Sequence, residues 1–375
     1  MTLTRARKCS LALLLAAGVT LAAAPAATAR TSAKKAIWGP VEVNGVSQFP
    51  IYHDLGVGIF QTQIHWDQIA PTRPANPRDP SDPAYQWPDR IDLAVSEAAR
   101  YHIRIALQIF GAPTWANGGH PQTSPPLNYS PKKPSDFADF ARAASRRYPT
   151  VHLWIIWGEP SRRANWKPGY RERRGQPLTP KEATAPRHYA EVLDAAYGAF
   201  KKVDPANLVI GGNTFTTGDI SPLNWIRSMR LPSGLPPRMD LYGHNPFSAR
   251  KPDLRKPRLG RGFADFSDLD TLAHWCDRFL ARGPGRKRHL RLFLSEFFVP
   301  TDHPNYEFNF YVDRNTQASW LTAALRITRE WSRIYATGWF TLYDDPPNAA
   351  NDEVARGLMD LEGRPKPAYY AYQRG

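Results

Sequence analysis

Eight short runs of apolar residues recur along this chain, at residues 36–40, 59–64, 104–110, 152–157, 208–213, 239–244, 292–295 and 336–343. Between them apolar positions fall at helical spacing. Ile91, Ala94, Val95 and Ala98 form one such set and Phe137, Phe140, Ala141 and Ala144 another, both at i, i+3, i+4, i+7. Segments of this kind open on a capping or first-turn signal such as Pro134-Ser135-Asp136. Strands that are apolar throughout need cover on both faces, and strands alternating with helices receive it in a parallel sheet. Eight such units close most economically as an α/β fold of the (β/α)8 TIM-barrel type. An open doubly wound sheet is the alternative, but no GxGxxG follows the first strand and there is no P-loop motif. No internal repeat, low-complexity tail or linker divides the chain, so a single domain is expected. Prolines concentrate in APTRPANPRDPSDPAYQWP, after the second strand, and in HPQTSPPLNYSPKKP, after the third. Both are strand-to-helix connections, which makes them long proline-rich loops on the catalytic face of a barrel.

The start of the chain is of another kind. MTLTRARK is basic, residues 11–24 are apolar, and Ala27-Thr28-Ala29 is a small-residue cleavage pattern, so residues 1–29 read as a secretory signal peptide and 30–375 as the barrel domain. A secreted protein with no stable membrane anchor is expected, since no later segment approaches the roughly 20 apolar residues of a spanning helix. Cys9 leaves with the peptide, and Cys276 alone cannot form an internal disulfide. Loss of Arg5, Arg7 and Lys8 still leaves most of the formal charge of +15. Such a balance suits nucleic acid, anionic membrane or an acidic polymer, or it is a solvated surface without a partner. Nucleic acid is the weakest of these, because no zinc-knuckle spacing, ribonucleoprotein motif or single basic helix is present. Basic runs at 160–181 and 250–261 fall in catalytic-face loops, where they would concentrate an acidic polysaccharide. The run GRKRHLR at 285–291 is as basic and precedes the seventh strand, on the opposite face, so general surface basicity is the default.

Two carboxylates stand at strand ends. In WIIWGEPS, four large apolar residues lead to Gly158, Glu159 and Pro160. Proline cannot continue a central strand, which places Glu159 at the carboxyl end of the fourth. Glu296, in RLFLSEFF, ends the seventh, on the same rim. Each alone reads equally as an ordinary acid on a wet surface. Together they are the minimum apparatus for glycoside hydrolysis, one giving and taking a proton and the other acting as nucleophile or base.

The chain resembles the clan A glycoside hydrolases, retaining barrel glycosidases, closest to the xylosidase-like and cellulase-like members. WIIWGEP is similar to the clan's W-x-x-W-N-E-P, LSEFF to its T-E-F-G, and FGAPTWANGG to the loop after its third strand. HWDQIAP, KKVDPANLVIGG, YGHNPFS and GLMDLEGRPKPAYYAY also match recurrent stretches. The resemblance implies Glu159 as acid/base, Glu296 as nucleophile, and a secreted enzyme that cleaves a β-linked glycoside or polysaccharide by double displacement. The alternative is a secreted carbohydrate-binding barrel without turnover. Three positions depart from the pattern: Gly158 replaces the asparagine that holds the sugar 2-hydroxyl, Gln61 an arginine on the second strand, and Phe247 a tyrosine after the sixth. A neighbour must then hold that hydroxyl, and Asn245 or Gln61 is the candidate.

Sugar rings present apolar C–H faces on which indole and phenol rings stack. Trp115 and Trp166 in catalytic-face loops are candidates, as is Trp339 in the eighth strand, where the resemblance implies a tryptophan under the reacting sugar. His244 ends the sixth strand beside Asn245 as a hydroxyl donor. No HExxH or paired Cys/His spacing points to a metal, and no cofactor is expected.

Overall fold

The computed structural model describes residues 32–121, 128–281, 289–305, 309–348 and 352–375. The signal-peptide region 1–29, part of the loop HPQTSPPLNYSPKKP and most of the basic run 285–291 lie outside the described residues. The strands are β1 (Ser32–Trp38), β2 (Val57–His65), β3 (Arg104–Phe110), β4 (Leu153–Ile156), β5 (Leu208–Phe215), β6 (Leu241–Asn245), β7 (Arg291–Phe297) and β8 (Ile334–Phe340). Each is followed by a helix: α1 (Phe49–Asp54), α2 (Asp89–Arg100), α3 (Pro134–Arg147), α4 (Thr184–Val203), α5 (Pro222–Ser228), α6 (Leu269–Phe279), α7 (Arg314–Glu330) and α8 (Pro367–Arg374). Neighbouring strands pair in parallel and β8 pairs with β1, so the sheet is a closed barrel. This is the (β/α)8 architecture expected from the alternation of apolar runs and helical segments.

The helices bury the stripes that their spacing predicts. Ile91, Ala94 and Ala98 of α2 face the sheet, as do Phe137, Phe140, Ala141 and Ala144 of α3. Both proline-rich loops lie at the carboxyl ends of strands. The first is tied down where the hydroxyl of Tyr85 donates to the Pro77 carbonyl at 2.6 Å and the Trp87 indole donates to that of Pro80 at 2.8 Å.

Inside the barrel, one layer is apolar: Ala36, Ile59, Ala106, Ile155, Ile210, Leu241, Phe293 and Ala336. Side chains alternate faces along a strand, so a step of two residues toward the carboxyl end gives the next inward layer. On six of the eight strands that step reaches Trp38, Gln61, Gln108, Gly243, Ser295 and Gly338, a layer of an indole, amides, a hydroxyl and glycines. A further step on three strands gives Gln63, Phe110 and Phe340, which open onto the barrel mouth. The polar second layer is what positions the site.

Candidate active site

β4 ends at Ile156, slightly earlier than the proline alone suggests, although the Trp157 N–H continues the ladder to the Ile109 carbonyl at 3.0 Å. The Tyr189 hydroxyl from α4 donates to the Ile156 carbonyl at 2.8 Å and accepts from the Gly212 N–H at 2.9 Å, fastening this strand end to β5. The chain then turns through Trp157 at φ 68° and Glu159 at φ 45°. Two side-chain-bearing residues in the left-handed region cost on the order of 1–3 kcal/mol each and persist only where the surroundings fix them. Here the Trp157 indole is buried, donates to the Asn165 carbonyl and packs 5.0 Å from Trp166 and 5.1 Å from Phe110.

Glu159 is 7% exposed. One carboxylate oxygen accepts from Asn245 Nδ2 at 2.9 Å and the other from the Arg162 guanidinium at 2.9 Å. Glu296 projects from β7, half-buried, one residue after a tightly held point. The Ser295 carbonyl accepts from the Trp38 indole and from Gln61 Nε2, both at 2.9 Å, while its hydroxyl donates to Gln61 Oε1 at 3.1 Å. β1 and β2 thus fix the backbone from which Glu296 springs. This contact requires glycine on the neighbouring strand, since a Cβ at Gly338 would lie 2.1 Å from the Ser295 carbonyl and 2.2 Å from Gln61 Nε2.

Glu159 and Glu296 line one cavity of about 430 Å³. Its polar wall includes Thr62, Gln63, His65, Arg90, Gln108 and Asn165, and Trp38, Phe110 and Phe340 supply aromatic surface. Gln63 donates to Gln108 Oε1, and Gln108 Nε2 is buried with no partner among the described residues. A Cβ at Gly158 would sit 3.1 Å from Gln108 Oε1 and 3.4 Å from the Phe110 ring, so Gln108 fills the space beside Gly158.

The other expected residues are placed differently from one another. Asn245 meets Glu159 directly, and its side-chain amide oxygen Oδ1 is buried without a partner among the described residues. Gln61 is fully buried and bonded to Ser295 through both ends of its amide, so it supports the strand beneath Glu296 and does not line the cavity. His244 is also fully buried. Tyr242 donates to Thr214, Thr214 to His244 Nδ1 at 2.8 Å, and His244 Nε2–H to the Ala264 carbonyl at 2.8 Å. Burial pushes its pKa down from 6.5 to about 4, and with both nitrogens engaged it has no donor for a sugar hydroxyl. Trp166 is core, edge-on to Trp157 and Tyr189. Trp339 is 1% exposed and packs edge-on to Phe297, so the next residue, Phe340, faces the cavity in its place. Trp115 is not among the residues that line the cavity: it packs edge-on to Trp66, its indole donates to the Ala70 carbonyl at 2.8 Å, and the Arg73 guanidinium covers its ring at 4.4 Å.

Many charges of the basic loops are paired. Arg163 and Arg171 meet Asp219, Arg174 meets Glu172, Arg250 grips Asp265 and Asp268, and Arg255 meets Asp253. Among the described residues no cluster of three or more His, Cys, Asp or Glu side chains could hold a metal ion, and no helix is long and apolar enough to cross a membrane.

No protein-family model matches the chain, and no curated protein matches it in sequence. Solved structures match it in fold. A family 39 glycoside hydrolase from Bacteroides cellulosilyticus superposes with a TM-score of 0.63 at 17% identity, over 92% of this chain and 63% of its own. A glucosidase from Croceicoccus marinus gives 0.61 at 16%, over 91% of this chain and 65% of its own. A monomeric β-xylosidase from Caulobacter crescentus gives 0.58 at 17%, over 91% and 67%. The chain therefore spans about two thirds of the length of these structures. With eight parallel strands closed into a barrel and these structures superposing on nearly all of it, the chain shares the (β/α)8 barrel fold of these solved glycosidases.

Proposed function

We propose that this chain is a secreted retaining glycoside hydrolase that cleaves a β-linked glycoside with Glu159 as acid/base and Glu296 as nucleophile. The observation that carries this reading is the shared cavity: carboxylates from β4 and β7 enter one space walled by amides and aromatic faces. That lining suits a sugar, whose hydroxyls need hydrogen-bond partners and whose ring faces need apolar contact. In the first step Glu296 attacks the anomeric carbon while Glu159 gives its proton to the departing oxygen, leaving a glycosyl ester on Glu296. In the second, Glu159 takes a proton from water, which displaces the ester and releases the sugar with its original configuration. The glucosidase and xylosidase that superpose on the chain make β-glucosides and β-xylosides the first substrates to try. The paired state of Arg163, Arg171, Arg174, Arg250 and Arg255 favours a neutral glycoside over an acidic polysaccharide.

One contact favours the second reading, a carbohydrate-binding barrel without turnover. Both oxygens of Glu159 accept hydrogen bonds, one of them from a cation, so the carboxyl group is held by its own chain and not turned to a departing oxygen. Under the hydrolase reading the Arg162 side chain, 40% exposed, moves off Glu159 when substrate enters.

The test is turnover of a panel of aryl β-glycosides, with the anomer of the product followed by NMR. Glu159→Ala is expected to slow poor leaving groups far more than activated ones, with azide restoring the second step, and Glu296→Ala to abolish both. Equal, small losses from the two substitutions would remove this pair from the chemistry. Export is checked separately by sequencing the amino terminus of protein recovered from culture medium, where a start at Arg30 is expected.

A further inference from the structure

We propose that a second, phenylalanine-lined cavity beside the carboxylates receives an apolar alcohol, the leaving group of the glycoside; this rests on the hydrolase reading above. The cavity measures about 440 Å³ and opens at the ends of β5, β6 and β7. Phe215, Phe247, Phe298, Phe310, Leu259 and Pro300 form its apolar walls. The Phe247 ring sits 5.3 Å from Phe215 and 4.7 Å from Phe298 by centroid, so three phenyl rings from three strand ends make one continuous surface. A tyrosine at 247 would bring a hydroxyl to this wall, and phenylalanine keeps it apolar.

Most polar groups at its margin already have partners. Arg250 holds Asp265 through two nitrogens, at 2.6 and 2.9 Å, and Asp268 at 3.0 Å. The Thr216 hydroxyl lies 3.0 Å from the Asn245 carbonyl and 2.9 Å from that of Phe247, and the Ser248 hydroxyl donates to the Arg250 carbonyl at 2.7 Å. A sugar ring needs donors and acceptors with capacity to spare, as the first cavity has in Gln108 Nε2. An apolar group needs only surface to leave water for.

Position decides which part of the substrate this is. The polar cavity takes its walls from β1 to β4 and β8 and holds both carboxylates, Glu296 entering it from β7, whereas the apolar one is walled from the ends of β5 to β7. Arg162, a donor to Glu159, lies over the Phe215 ring at 5.1 Å. Asn245, the other donor, pairs with Phe215 in the β5–β6 register and precedes Phe247 by two residues. Phe298 follows Glu296 by two residues, and the Arg356 guanidinium lies against one ring of each cavity, 4.7 Å from Phe298 and 4.4 Å from Phe340. The apolar cavity is therefore reached through residues that contact the acid. In retaining hydrolysis the acid protonates the oxygen of the departing group, so that group lies on the acid's side and the sugar on the other. The reaction is then glycoside plus water to free sugar plus apolar alcohol, the alcohol leaving with the proton of Glu159.

Two measurements test this. The first is binding of 2-naphthol, followed by its fluorescence, to the full chain and to its Phe247→Asp and Leu259→Asp variants. Leu259 is 42% exposed, so its replacement leaves the core packing alone even if Phe247→Asp fails to fold. Saturable binding is expected, weakened on the order of tenfold by a charge in the wall. Binding that does not saturate, or that Leu259→Asp leaves unchanged, overturns the proposal. The second compares the octyl and phenyl glycosides of a sugar the enzyme turns over with its methyl glycoside and a disaccharide. KM for the octyl or phenyl compound is expected to be about tenfold or more below that of the methyl one, the better of the two telling alkyl from aryl alcohols, and Leu259→Asp should erase the difference. Equal KM values throughout sink the subsite while leaving the hydrolase reading intact. Displacement of 2-naphthol by octyl β-glucoside with no glycoside cleaved supports the apolar-ligand site and removes the hydrolase reading.

Discussion

At the scale of single residues, the arrangement around Glu159 depends on Asn245. Its Nδ2 donates to one carboxylate oxygen at 2.9 Å, and Asn245 itself is fully buried. A hydrogen bond to a charged group contributes about 1.5–3 kcal/mol, and a misplaced proton donor loses rate steeply with distance. Asn245→Ala is therefore expected to lower kcat by roughly 10- to 100-fold on an aryl glycoside, with KM less affected. A kcat within about twofold of the wild type would show that Arg162 and the backbone alone orient the acid. Gln108 makes the complementary point. Its side chain fills the space that a residue larger than glycine at 158 would take, so the departure at Gly158 and the Gln108 Nε2 left without a partner among the described residues belong together. Reading positions one at a time along the sequence separates them by fifty residues, and only the β3–β4 pairing brings them into contact.

At the scale of the strands, the sequence shows where each one runs, but not which way a side chain points. Apolar runs mark eight strands because their residues are buried on both faces, and for the same reason they carry no alternation from which to read parity. Trp339 and His244 show the consequence. Counting in twos from the inward residues Ala336 and Leu241 reaches Phe340 and Asn245, which face the carboxylates, and passes over Trp339 and His244, which do not. Trp166 was illegible for another reason, since its loop folds back and seats the indole against Trp157 and Tyr189. The carboxylates needed no such parity argument, because a strand-ending proline and a strand end place both on one rim. His244 has a structural role that acid should expose. The unfolded chain takes up a proton near pH 6.5 and the folded one only near 4, so between these values the unfolded state binds more protons and folding weakens as pH falls. The shift corresponds to about 3 kcal/mol, present above pH 6.5 and lost progressively toward pH 4. In urea unfolding across that window, His244→Gln should show a flatter dependence on pH than the wild type, and parallel curves would mean that the buried imidazole is not what acid attacks.

At the scale of the whole molecule, charge and fold serve different ends. A formal charge of +15 suggests attraction to polyanions, yet net charge speaks to solubility and encounter, and a ligand responds to charges that are not already answered. Around the barrel mouth the arginines meet carboxylates of their own chain: Arg163 and Arg171 share Asp219, and Arg250 divides its donors between Asp265 and Asp268. Pairs of this kind add little stability where exposed, but they cancel much of the local field that would draw in an acidic glycan. What field remains is screened over about 8 Å at physiological ionic strength. Raising salt from about 50 to about 300 mM should therefore change the affinity for an acidic oligosaccharide by no more than roughly threefold, and leave a neutral one of equal length unaffected. A steep fall confined to the acidic ligand would show that the remaining basic side chains of these loops, Lys167, Arg173 and Arg258 among them, form a working cationic rim, and would move the substrate from a neutral glycoside to an acidic polysaccharide.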